Sequence, residues 1–231
     1  MPVQAVSFDF DGTIANSVNA IRKANIIIAK ILASILGIDE EPVVKYLERK
    51  AEKLSLKGKY NRALWIKETL SYFNRKIEET TISLLVRKYW TYVITRTTLY
   101  SDAEYTIATL KKKGYLVAIL TNTDGTIGVK SKRISKLVSK DLFDAIVIAG
   151  EDTDNPKPHP EAFYYLAKKL GVKPSEIVYV GDDYLVDAIG SLRAGFSPAL
   201  ILRSHLRFKV NKKPLEEILV VNRLSDILLY L

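Results

Sequence analysis

Five short apolar runs recur along this chain, separated by stretches of helical texture, and that alternation constrains the fold more than any other feature. The runs are residues 3–8, 115–120, 145–149, 177–180 and 199–202. Each has the length of a strand buried on both faces, and each is bounded by turn-forming residues. Between them, residues 101–113, 130–138, 160–170 and 184–194 read as helices, with Gly114 and Gly171 placed as helix stops. Strands alternating with helices pair in parallel through right-handed crossovers, which puts helices on both faces of one sheet. The predicted class is therefore α/β. In such sheets ligands bind beyond the carboxyl ends of the strands, so any chemistry should sit just after the runs.

The first two runs are far apart. Residues 17–97 are rich in Leu, Ile, Lys, Glu and Arg, with breaks near residues 37–42 and near Gly58, and they read as an all-helical insert. This predicts two domains: residues 1–15 with 98–231, and the helical residues 16–97. Trp65, Tyr72 and Phe73 fall at helical spacing and are expected to fill the insert's own core. Residues 26–36 are the most apolar stretch, about half of a bilayer span and interrupted by Lys30. They read as a buried helix, which could equally serve a dimer, so monomer and homodimer both stay open. No membrane association is expected.

The chain has no cysteine, which excludes disulfides, thiolate metal sites and a cysteine nucleophile. With no secretory pattern at the N-terminus, this suits a cytoplasmic protein. The formal charge is +9, yet the basic residues are scattered. Only residues 203–213 (Arg203, Arg207, Lys209, Lys212, Lys213) approach a cluster. No basic stripe is interleaved with aromatics, and nucleic-acid binding is not expected.

The reactive side chains fall where the sheet rule asks for them. Asp9 and Asp11 follow the first run; two residues apart, they face one site. Such close carboxylates repel each other unless a cation lies between them, although Asp-Gly is also a common turn. Asp182, Asp183 and Asp187 follow the fourth run. An Asp there can simply cap the next helix, but an oxygen-rich cluster also selects a hard cation such as magnesium. Lys157 precedes Pro158, and the pair reads as the opening of a helix, with the ammonium held at a loop end or merely solvated. Thr121 and Asn122 end the second run as a phosphate grip or an ordinary turn.

Taken together and in order, Asp9-Phe10-Asp11-Gly12-Thr13, Leu120-Thr121-Asn122, Lys157-Pro158-His159-Pro160 and Gly181-Asp182-Asp183 through Asp187 resemble the haloacid dehalogenase superfamily in its phosphatase branch. The resemblance spans residues 1–15 and 98–205 and implies a Rossmann-like catalytic core. The insert resembles the family's cap only in position and composition. By this resemblance Asp9 is the nucleophile that forms an aspartyl-phosphate, and Asp11 is the general acid and base. Magnesium would lie among Asp9, the backbone carbonyl of Asp11, and Asp182. Thr121, Asn122 and Lys157 would hold the phosphate, and Asp183 and Asp187 would orient the metal's ligands. The substrate implied is a small phosphorylated metabolite. Asp11 argues against dehalogenation, which needs no acid for an alkoxide. A phosphomutase shares the full set and stays open, as do, more remotely, a non-catalytic phosphate binder and a nucleic-acid binder. Where the family carries Pro-Gly after Leu99-Tyr100, this chain has Ser101-Asp102. Lys57, Lys59 and Arg62 flank the break at Gly58, as a meeting point for an anionic part of the substrate or a solvated turn.

Overall fold

The computed structural model describes residues 2–203 and 215–231. Two compact units divide the chain, one made of residues 1–16, 98–123 and 131–231, the other of residues 17–97 and 124–130.

The first unit is built on a six-stranded parallel sheet. Its strands are β1 (Ala5–Phe8), β4 (Leu116–Asn122), β5 (Ala145–Ala149), β6 (Ile177–Gly181), β7 (Ser197–Ile201) and β8 (Leu219–Val221). They lie in the order β5-β4-β1-β6-β7-β8. The two-residue strands β2 (Ala15–Asn16) and β3 (Thr98–Leu99) pair antiparallel where the chain leaves this unit and returns. The strand β8 and a final 3₁₀ segment, Leu224–Leu229, extend the sheet beyond the five predicted runs.

The pleat sorts each run into two cores. Val6 and Phe8 of β1, Val117 and Ile119 of β4, and Val178 and Val180 of β6 share one cluster with Ile107 and Leu110 of α5 (Ala103–Lys112). Their neighbours Ala5, Ala118, Leu120, Ile177 and Tyr179 share the other with Phe163 and Leu166 of α7 (Pro160–Leu170). A strand sandwiched this way is apolar at most positions, with Ser7 of β1 a buried exception, which is why these runs do not alternate with polar residues. Burying a Phe or Leu contributes about 1.5–3 kcal/mol each, so this doubled core carries most of the unit's stability.

The strand order also fixes where a site can form. From β1 the chain moves to β4 and β5 on one side, then crosses back to β6 and continues to β7 and β8 on the other. The crossovers diverge between β1 and β6, and the crevice at their carboxyl ends is the topological switch point.

The second unit packs α1 (Val18–Leu36), α2 (Glu40–Ser55), α3 (Arg62–Tyr72) and α4 (Glu79–Arg96) around Ile28, Leu32, Val43, Leu47, Ile66, Leu70, Leu85, Trp90 and Val93. The predicted apolar helix is the heart of α1, whose Ile28, Ala29, Leu32 and Ala33 are buried while Lys30 pairs with Glu40 at 2.7 Å. The three aromatic expectations divide. Trp65 is buried, but Tyr72 is exposed and stacks on Tyr46 with ring centroids 4.0 Å apart, while Phe73 is half-buried. Tyr72 is the last residue of α3, where the apolar face has already turned away from the core. Residues 124–130, which the sequence reading left with the sheet, belong to this unit, and the division falls inside α6 (Val129–Leu137). Among the described residues no helix is long and apolar enough to cross a membrane.

Candidate active site

Asp9 leaves β1 at the switch point, where its backbone N–H donates to the Val180 carbonyl of β6 at 2.8 Å. The chain then turns tightly, with Ala15 N–H donating to Phe10 O and Gly12 N–H to Ala15 O, both at 2.8 Å. Gly12 sits at φ +80°, and a Cβ there would lie 2.2 Å from Asp182 Oδ2. Only glycine lets this turn lie against the Asp182 carboxylate.

Carboxylate oxygens of Asp9, Asp182 and Asp187 all lie within 4.8 Å of one another. Lys157 meets two of them. Its Nζ donates to Asp9 Oδ1 at 2.8 Å, to Asp187 Oδ1 at 2.7 Å and to the Tyr179 hydroxyl at 2.6 Å. All four of these side chains are buried. Burial works against the ammonium, but Asp187 and Asp9 outweigh it and hold the Lys157 proton well above the ordinary lysine range. Asp9 is pushed up to about 6, chiefly by burial, with Lys157 opposing and Asp187 reinforcing the shift. Burial and the neighbouring carboxylates of Asp187, Asp9 and Asp183 push Asp182 well above the usual carboxylate range. One ammonium does not neutralise three carboxylates. An all-oxygen set crowded enough to raise the proton affinity of Asp9 and Asp182 is the donor set a hard divalent cation satisfies, so these residues fit magnesium.

Lys157 is held from behind. Asn122 accepts from Lys157 N–H at 2.7 Å and donates through Nδ2 to Lys157 O at 3.1 Å. Thr121 and Asn122 are the last two residues of β4, inside the strand and not after it, and Thr121 is buried. The expectation that Lys157-Pro158 opens a helix is corrected: α7 begins at Pro160 with His159 as its N-cap. Asn122 takes over the work of fixing the lysine.

The acid cluster also divides by role. Asp183 accepts from Leu185 and Val186 N–H at 2.9 Å and caps a single wide π-helical turn, Tyr184–Ile189. That turn and the short α8 (Gly190–Arg193) replace the one continuous helix expected there. Asp187 reaches back from the turn, accepting from Asp183 N–H through Oδ2 at 3.0 Å. A Cβ on Gly181 would lie 2.4 Å from the Asp187 carboxylate, so this approach also requires glycine.

Asp11 lies in the same turn, but its carboxylate is not one of the three grouped. It is gripped by Arg133 of α6: Nη1 donates to Oδ2 at 3.1 Å, and Nη2 makes a short contact with Oδ1. Sequence reading missed Arg133 and Tyr179. The only signal for Tyr179 was a hydroxyl inside an otherwise apolar strand, and Arg133 had none. Arg203 changes meaning as well. It is buried, pairs with Asp102 and donates to Thr13 O at 2.8 Å, so it braces the core; the remainder of its basic cluster, Arg207, Lys209, Lys212 and Lys213, and also His205, lie outside the described residues. In the helical unit, Lys57 and Lys59 are exposed, whereas Arg62 is buried with its guanidinium 3.8 Å above the Trp65 ring.

The chain as a whole is similar to known proteins. A family model for haloacid dehalogenase-like hydrolase matches residues 3–195. Human N-acylneuraminate-9-phosphatase is 29% identical over 228 residues, covering 94% of this chain and 90% of its own. Phosphoglycolate phosphatase from Pasteurella multocida is 27% identical over 186 residues, 77% of this chain and 76% of its own. The crystal structure of a phosphatase of this superfamily from Thermococcus onnurineus superposes with a TM-score of 0.66 at 25% identity, covering 97% and 96% of the two chains. The chain belongs to the haloacid dehalogenase-like hydrolases and, within them, to the phosphatases.

Proposed function

We propose that this protein is a magnesium-dependent phosphohydrolase that transfers the phosphoryl group of a small phosphorylated metabolite to Asp9 and then to water. The observation that carries the proposal is the buried contact of Asp9 Oδ1 with Lys157 Nζ at 2.8 Å, within the group formed by Asp182 and Asp187. A carboxylate fixed in this way can act as a nucleophile, and the ammonium offsets charge on both it and the incoming phosphate. Thr121, at the neighbouring strand end, would donate its hydroxyl to a phosphate oxygen. Asn122 contributes by holding Lys157, since both polar ends of its amide engage that residue's backbone.

Asp9, the Asp11 backbone carbonyl and Asp182 would hold magnesium, which when bound neutralises charge on the transferring group. Asp187 keeps Lys157 aimed at Asp9, and Asp183 N–H in turn fixes Asp187. Asp11 would give its proton to the leaving alkoxide, and its carboxylate would then take a proton from the water that attacks the acyl-phosphate. Two relatives are named for N-acylneuraminate 9-phosphate and phosphoglycolate, which supports a small phosphorylated metabolite as the class of substrate.

The test is phosphate release from an aryl phosphate, with and without magnesium, for the parent and Asp9→Asn. Release that requires magnesium and disappears in the variant is the expected result. Release that persists in a folded Asp9→Asn protein would remove Asp9 as the nucleophile.

A further inference from the structure

We propose that Arg133 is a positioning residue for Asp11, aiming its carboxyl so that the leaving oxygen receives its proton. The inference rests on the phosphohydrolase reading above and adds to it a residue outside all four motifs.

Arg133 is 2% exposed, whereas the Asp11 side chain is 21% exposed. The arginine is thus the fixed partner, embedded in the sheet-containing unit, and the aspartate is the one that needs a support. Removing an arginine from water costs several kcal/mol unless its hydrogen bonds are made, so an arginine in this position requires good geometry in return. It has that geometry: two different guanidinium nitrogens reach the two different oxygens of one carboxylate. A planar fork fixes the plane and direction of a carboxylate, which the single ammonium of lysine does not. The guanidinium carbon also lies 5.7 Å from the centroid of Phe10, the residue immediately before Asp11. Arg133 therefore bears on both the side chain and the turn that carries it.

The fork leaves chemistry possible. Each carboxyl oxygen has two lone pairs, and the fork uses one on each. When Asp11 carries a proton, one oxygen can remain an acceptor for Arg133 while the other presents the proton outward. Without the fork, the carboxyl loses the two hydrogen bonds that set its plane, and the loss should fall mainly on protonation of the leaving group. Nucleophilic attack by Asp9 depends on Lys157 and the acid cluster, whereas the Arg133 fork engages Asp11.

Leaving-group dependence separates positioning from general damage. The experiment measures kcat/KM, which reports the phosphorylation step, with saturating magnesium. Two substrates are compared: a primary alkyl phosphate, whose alkoxide needs a proton, and 2,4-dinitrophenyl phosphate, whose phenolate does not. The proteins are the parent, Asp11→Asn, Arg133→Met and Arg133→Lys, each with a thermal melt. We expect Arg133→Met to lose roughly 100-fold on the alkyl ester, the low end for general acid catalysis, and less than about 10-fold on the dinitrophenyl ester. Arg133→Lys should recover part of the alkyl activity; if Arg133→Met does not fold, this variant carries the test, with a smaller loss of the same selectivity. Equal losses on both esters, or no loss on either, would overturn the proposal. A selective Asp11→Asn beside an unselective Arg133→Met would leave the phosphohydrolase reading standing and remove Arg133 alone. A parent inactive on both esters would overturn the reading itself.

Discussion

Replacing Arg203 by methionine should reveal how much the first unit depends on one internal ion pair. The guanidinium donates to Asp102 Oδ2 at 2.9 Å and Oδ1 at 3.1 Å, to the Thr13 carbonyl at 2.8 Å, and stacks 3.8 Å above the Tyr100 ring. Its side chain is 8% exposed and that of Asp102 is 14% exposed. Breaking a buried pair from one side typically costs 3–5 kcal/mol, because the other charge stays behind. Asp102 keeps one donor, the Leu224 N–H at 2.7 Å, so the lower end applies and Arg203→Met should cost about 3 kcal/mol. For a chain of this size that corresponds to roughly 6–12 °C in Tm. Urea denaturation gives the free energy, and the double variant Asp102→Asn with Arg203→Met should cost clearly less than the sum of the singles. Burial works to raise the Asp102 pKa, but Arg203 and the Leu224 N–H outweigh it and the carboxyl is lowered. A lowered carboxyl contributes stability above its unfolded pKa and loses it as pH falls through the folded value. The parent's advantage over Arg203→Met should therefore shrink below about pH 4. A cost under about 1 kcal/mol, or strict additivity in the double variant, would refute the assignment of Arg203 as a brace.

Two further outcomes follow from the site. Gly12→Ala should cost about 1–2 kcal/mol from its left-handed backbone, and at least about 100-fold in kcat/KM because its Cβ displaces the Asp182 carboxylate. Full activity in this variant would show that the close approach of Gly12 to Asp182 is dispensable. In metal-free protein, Asp9, raised from 3.8 to about 6, contributes stability below pH 3.8 that is lost as pH rises through about 6. Chemical denaturation from pH 4 to 7 should show the parent losing about 2 kcal/mol relative to Asp9→Asn, and magnesium at pH 7 should then raise the parent's Tm more than the variant's. A pH-independent difference between the two proteins would contradict the burial of an unneutralised Asp9.

Much of the sheet was legible because a strand covered on both faces has few polar positions to disguise it. Residues 145–149 and 160–170 match β5 and α7 residue for residue. The short strand β8 and the π-helical turn at Tyr184–Ile189 were not legible. Three residues carry too little pattern to announce a strand, and whether a turn is wide or regular depends on what its side chains must reach, here Asp187 reaching Lys157. The same limit explains Tyr72. Helical spacing marks a stripe, but it cannot show where the core stops.

The sequence by itself determined the α/β class, the helical insert and the places along the chain where acidic, hydroxyl and lysine side chains would stand. These are local properties: periodicity, turn residues and the position of a side chain relative to a strand's end. Only the tertiary structure decided which partner each side chain meets. It joined Lys157 to Asp9, Asp187 and Tyr179, turned Asn122 into the clasp of Lys157, set Arg133 on Asp11 and buried Arg203 against Asp102. Those contacts link residues up to 148 positions apart in the site and 101 in the brace, and no local pattern encodes them. An arginine reads the same in sequence whether it is solvated or buried; the packing around it supplies the carboxylate that makes burial tolerable.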